Sequence, residues 1–205
     1  MTVDHVEVLV EEASMEAALA VLLPKMLPAT DFQIHTHQGK PDLLGKLPGK
    51  LRAYAAWIPT TWRIVVVVDR DDDDCKALKE RLEETSRQAG LATRSTAGED
   101  TRYVVVNRVD IEELEAWYFG DWKAVCAAYP KVPRTVTAKA AYRAPDEIRG
   151  GTWQAFLRVL QAAGYERSGL RKIEAACAIA QHMVPARSTS PSFCALRDAL
   201  QEMVA

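Results

Sequence analysis

Three short runs of the chain are dense in β-branched residues: His5 to Val10, Trp62 to Val68 and Tyr103 to Val106. The middle run, WRIVVVV, is apolar at nearly every position, which predicts a central parallel strand with both faces covered. Asp31 to His37 alternates polar and apolar residues and predicts another strand, and Leu91 to Ser95 offers a weaker one. Helical patterns fall between them. Ser14 to Leu27 is rich in Ala, Leu and Val, and Asp73 to Gln88 is a charged amphipathic segment closed by Ala89-Gly90. Alternating strands and helices predict a doubly wound, mostly parallel α/β sheet. Beyond residue 108 the strand signals vanish. Helices are expected at Ile111 to Tyr129 (stopped by Pro130 and Pro133), Pro145 to Ala163, Leu170 to Met183 and Ser192 to Val204. The organisation read from this is an α/β core over 1–108 and a helical extension over 109–205 packed on it as one structural domain. Thr36 to Lys50, with three glycines and two prolines, reads as an exposed loop.

Composition narrows the class. With 48% hydrophobic and 26% charged residues, 205 residues can fold around their own core. The four cysteines show no CxxC or Cys/His grouping, as expected of reduced thiols. The apolar run Ile64 to Val68 is far short of a bilayer span, and acids follow the N-terminus at once, so the expectation is a cytoplasmic protein without a membrane partner. A net charge of −2 argues against a general nucleic-acid-coating protein, though local patches can differ from the total.

Candidate chemistry lies where strands end. In IVVVVDRDDDD a buried strand runs into Asp69, with Asp71 two residues on. In extended chain these two carboxylates point to one side. Ligands of open α/β sheets bind beyond the carboxyl ends of the strands, and hard cations such as Mg²⁺ take oxygen ligands. Asp72, Asp73 and Asp74 are assigned to the start of the following helix. Glu11 stands where the first strand gives way to the first helix and suits a metal or general-base role. Asp110 and Glu113 read as a capping box, which assigns Glu113 to its own helix. Glu115 lies at the edge of the stripe Ile111, Leu114, Tyr118, Trp122 and Val125, where a carboxylate needs a metal, a proton or a base.

In order, VEEASMEAAL, VVVVDRDDDD and IEELEAWYFGD resemble a Toprim domain, which has a glutamate after its first strand and a DxD pair after a later one. They look closer still to an uncharacterised family of bacterial Toprim-like proteins akin to the Toprim nuclease domain of the overcoming-lysogenisation-defect enzymes. ARSTSPSFCALRDAL, Ala186 to Leu200, is similar to that family's C-terminal Ser/Phe segment. The resemblance implies Mg²⁺ or Mn²⁺ held by Glu11, Asp69 and Asp71 for attack on phosphodiesters, with Glu115 as a further catalytic group and a role in phage defence. One departure stands out: Glu12 occupies a position that is usually glycine.

Basic residues offer phosphate contacts. Lys40, Lys46, Lys50 and Arg52 face a single acid, Asp42, across the glycine-rich stretch, and Lys172, Arg187 and Ser190 are candidates to line the cleft. GKLPGK is not a Walker motif. His35 and His37 lack a third metal ligand, and Trp117, Trp122 and Trp153 are expected to pack helices. The leading reading is a metal-dependent nuclease with nucleic acid or nucleotide phosphate as partner. A non-catalytic partner module of an ATPase or defence complex and a small-nucleotide hydrolase are the alternatives, and a homo-oligomer is left open.

Overall fold

The computed structural model describes residues 2–70, 73–97, 102–110, 113–166 and 169–204. Four strands, β1 (His5–Val10), β2 (Asp31–Thr36), β3 (Trp62–Asp69) and β4 (Val105–Asp110), form one sheet in the order β2-β1-β3-β4. Every pairing is parallel, with His5 opposite Asp31 and Trp62, and Asp69 opposite Asp110. The α/β class read from the sequence is the class observed. Leu91 to Ser95 contributes only an isolated bridge, Thr93 to Val105.

The connecting helices are α1 (Ala13–Met26), α2 (Lys40–Trp57) and α3 (Cys75–Gln88). The chain moves from β1 to β2 in one direction, then crosses back to β3 and β4. Right-handed crossovers therefore place α1 on one face and α2 and α3 on the other. Alternation along the strands matches this. Val6, Val8, Val10, Val65, Val67 and Val106 join the core beneath α1, while Leu9, Ile64, Val66, Val68 and Val105 join the core beneath α2 and α3. That is why β3 is apolar at consecutive positions.

From Lys40 onward the stretch expected to be a loop is instead helix α2, the longest among the described residues. Gly39 adopts φ 86 ahead of it, a left-handed conformation suited to glycine, and Pro41 occupies the first turn. Inside the helix Gly45, Gly49 and Pro48 together cost about 5 kcal/mol against good helix formers. Leu43, Leu47, Leu51 and Tyr54 recur on one face and are buried. At roughly 1.5–3 kcal/mol per buried side chain, that stripe offsets the breakers.

The remaining helices are α4 (Glu115–Gly120), α5 (Trp122–Ala128), α6 (Thr152–Ala162), α7 (Lys172–His182) and α8 (Pro191–Val204). The continuous helix expected over Ile111 to Tyr129 is broken at Asp121, which leaves helical geometry at φ −126, ψ 66. Tertiary contacts cause the break. Asp121 accepts hydrogen bonds from the Val184 amide and from two nitrogens of Arg187 at 2.6 and 2.9 Å. Gly120 passes so close to Ser190 that a Cβ there would lie 2.7 Å from its backbone nitrogen. Helix α7 packs along α1, and Lys25 of α1 donates to the carbonyls of Ala180, Gln181 and Met183 at the end of α7. The core beneath α1 takes in Trp117, Phe156, Ile179, Phe193 and Leu200, so the C-terminal helices and the sheet share one apolar interior. No helix among the described residues is long and apolar enough to cross a membrane.

Candidate functional site

Strands β1 and β3 are neighbours although β2 lies between them in sequence. The chain reverses its direction of winding at that point, and the diverging connections leave a crevice at the carboxyl ends. Glu11, one residue past β1, and Asp69, the last residue of β3, meet there. A Glu11 carboxylate oxygen accepts the Asp69 backbone N–H at 2.7 Å, and Glu11 is only 8% exposed. Asp110 ends β4 as the register partner of Asp69, so β3 and β4 both end in an acid at this edge. Asp71, the third expected ligand, lies outside the described residues, as do Asp72, Ile111 and Glu112.

The neighbouring acids sort by role. Asp74 caps α3 by accepting the Ala77 N–H at 2.8 Å, as expected. Asp73 pairs with Lys40 at 2.8 Å, and the same ammonium donates to the Arg70 carbonyl at 2.9 Å. Lys40 is thereby held against the turn that follows Asp69, the one member of its basic group brought to this edge by a described contact. Lys46 pairs with Asp42 one helical turn away, and Arg52 is exposed on α2. Lys50 also sits on α2, so all four cations belong to a helix and not to a loop.

Glu12, Glu113, Glu115 and Lys172 form a second group beside the first. Glu115 opens α4 and is 2% exposed. Burial pushes its carboxyl up to about 7; Lys172 opposes the rise, and Glu113 and Glu12 add to it. Burial works against the charge on Lys172, but Glu115 and Glu12 raise its pKa overall. Lys172 Nζ lies 3.4 Å from Glu12, which also accepts from Ser14 Oγ at 2.6 Å. The backbone of Glu12 is extended at φ −141, ψ 162, which any residue adopts, so this turn does not require the family's glycine.

Glu113 corrects the capping-box reading. It caps α6 instead of its own helix, accepting Thr152 Oγ1 and the Trp153 N–H at 2.9 Å each. Arg187 is committed to Asp121 within the helical layer. Ser190 is fully buried and donates to Asp146 at 2.7 Å, so it clasps the start of α8 and does not line a cleft. His35 and His5 both bond Glu7, which Tyr54 also contacts at 2.8 Å; His37 bonds the Val10 carbonyl.

The donors at the carboxyl edge are all oxygens, the set that hard divalent cations take. Among the described residues, no three His, Cys, Asp or Glu side chains are grouped to hold a metal ion. Glu11 and Asp69 are joined by a carboxylate-to-amide hydrogen bond.

The fold is an all-parallel α/β sheet whose winding reversal brings Glu11 to the Asp69 amide. The chain belongs to the family described as Domain of unknown function (DUF4276), whose profile matches residues 10–201. No curated protein matches it. Among solved structures it is similar to the C-terminal region of the OLD protein of Xanthomonas campestris pv. campestris, with 15% identity over 95% of both chains and a TM-score of 0.45.

Proposed function

We propose that this protein is a divalent-metal-dependent phosphoryl-transfer protein that cleaves phosphodiesters. The observation that carries the reading is the Glu11 to Asp69 contact at the crevice between β1 and β3. Glu11, Asp69 and Asp71 would hold Mg²⁺ or Mn²⁺. When bound, such an ion lowers the pKa of a coordinated water and neutralises charge on the phosphate. Glu115, with its carboxyl near 7, exchanges a proton in the neutral range. Lys172 keeps Glu12 and Glu115 from facing each other as uncompensated negative charges, and Lys40 sets the turn after Asp69. A place in phage defence follows from the sequence resemblance and belongs to the same proposal.

The test pairs binding with turnover. Mg²⁺ or Mn²⁺ should raise the melting temperature, because a ligand specific to the native state stabilises it. Asp69→Ala should fold, lose that response and lose metal-dependent cleavage of DNA or RNA. A metal response unchanged in Asp69→Ala refutes the site. Metal binding without cleavage would leave a partner module of an ATPase or defence complex as the better account.

A further inference from the structure

From Trp122 to Pro145 the chain carries five basic residues, Lys123, Lys131, Arg134, Lys139 and Arg143, and no acid. All five are exposed. The segment leaves α5 and runs through short 3₁₀ turns at Val136–Ala138 and Ala140–Tyr142. It borders three adjoining hollows. One of about 530 Å³ is lined by Lys123 and Arg134, one of about 290 Å³ by Lys123 and Arg143, and one of about 260 Å³ by Lys131, Lys139 and Arg158. The first two share Trp122 and Thr137, and the last two share Tyr142, so they form one continuous surface.

Elsewhere, exposed Lys46, Arg87 and Arg171 pair with Asp42, Glu84 and Glu174, and half-buried Arg94 pairs with Glu202. None of the five makes a carboxylate ion pair among the described residues. In a chain of net charge −2 this concentrates uncompensated positive charge on one side of the helical layer. Such a surface attracts a polyanion whose charges recur along its length.

We infer that the surface spanning Lys123 to Arg143 binds the phosphate backbone of a nucleic-acid duplex. The inference rests on the phosphodiester reading and specifies where that substrate is held. A duplex fits better than a single strand because the aromatic rings here are already engaged. Trp122 donates to the Pro133 carbonyl at 3.0 Å and stacks on Phe119, and Tyr142 stacks on Phe119 as well. Both rings are held against Phe119 and not splayed out as a platform for successive unstacked bases.

The test is fluorescence anisotropy with a labelled DNA duplex of about 30 base pairs, in EDTA, across about 50 to 200 mM salt. The double variant Arg134→Glu with Arg143→Glu should weaken binding at least about tenfold and lower the salt slope by roughly 2, since each lost phosphate contact removes about 0.9. Arg81→Glu with Arg87→Glu changes net charge equally on exposed positions of α3 and should have little effect. Lys123→Gln with Arg134→Gln is the milder pair, expected to fold and to lower the slope in the same direction. Equal losses in the α3 and surface variants, an unchanged salt slope, tighter binding of a single strand, or displacement by inorganic phosphate would each overturn the inference. Because EDTA removes turnover from the measurement, duplex binding without later cleavage refutes the nuclease reading and leaves this surface standing. Cleavage that survives in the double variant with unchanged binding does the reverse.

Discussion

Glu11 and Glu115 are both buried acids with different company. Glu11 keeps a strong donor, the Asp69 amide. Glu115 is enclosed with Glu113 and Glu12 nearby, and Lys172 is the cation that opposes the rise of its pKa. A carboxyl whose folded pKa is about 7, against an ordinary 4.5, favours the folded state fully below 4.5 and loses that contribution as pH rises through 7. In metal-free protein the loss from this group should be on the order of 3 kcal/mol between acid and mildly alkaline pH. Urea denaturation at both ends of that window should show the effect in the parent. Glu115→Gln, which keeps the shape and removes the proton, should flatten the dependence and gain stability at the alkaline end. A parent and variant with parallel profiles would mean that Glu115 is not titrating in this environment. The position of Glu115 on an apolar stripe made its burial legible in the sequence. Lys172, 57 residues away in numbering, could be named only as a candidate, because nothing local says which cation meets which acid.

Elements were legible where the local signal had no competitor. Strands β1 and β2 follow alternation or apolar runs, and Asp74 caps α3 as its position before the amphipathic stretch implies. Where local and tertiary signals compete, the sequence misleads. The glycines and prolines of α2 are outweighed by its leucine stripe, and the pattern for one helix from Ile111 is cut by Asp121, whose partner Arg187 is remote in the chain. Glu113 has the spacing of a local cap but serves α6 across the fold. Glu113→Ala should therefore destabilise the protein by about 0.5–2 kcal/mol, the cost of an N-cap. Hydrogen exchange should quicken first in the opening turn of α6 and not in α4, and faster exchange confined to α4 would restore the local-cap reading. The basic run over 122–145 was equally visible in the sequence. Counting charges per segment, and not over the whole chain, is the signal that finds it.

At the scale of the whole molecule, one apolar interior runs from β1 and α1 through Trp117, Phe156 and Phe193 to α8. Phe193 is fully buried and meets Trp117 edge-on at 5.1 Å. Phe193→Ala should cost about 3–5 kcal/mol. Calorimetry should show one transition moved to lower temperature, whereas a new, separate low-temperature transition would mean that the C-terminal helices unfold as their own unit. By itself the sequence determined the α/β class, the places of β1, β2 and β3 and the acids that follow β1 and end β3, because strand patterning and chain polarity are properties of neighbouring residues; the last strand, expected over Tyr103 to Val106, runs instead from Val105 to Asp110. Only the tertiary structure decided that β1 lies against β3, which brings Glu11 to the Asp69 amide. It also decided that Arg187 pairs with Asp121, that Ser190 clasps the start of α8 and that a glycine-rich stretch becomes a helix. Those outcomes depend on burial and on partners tens of residues away, energies that a local pattern does not contain.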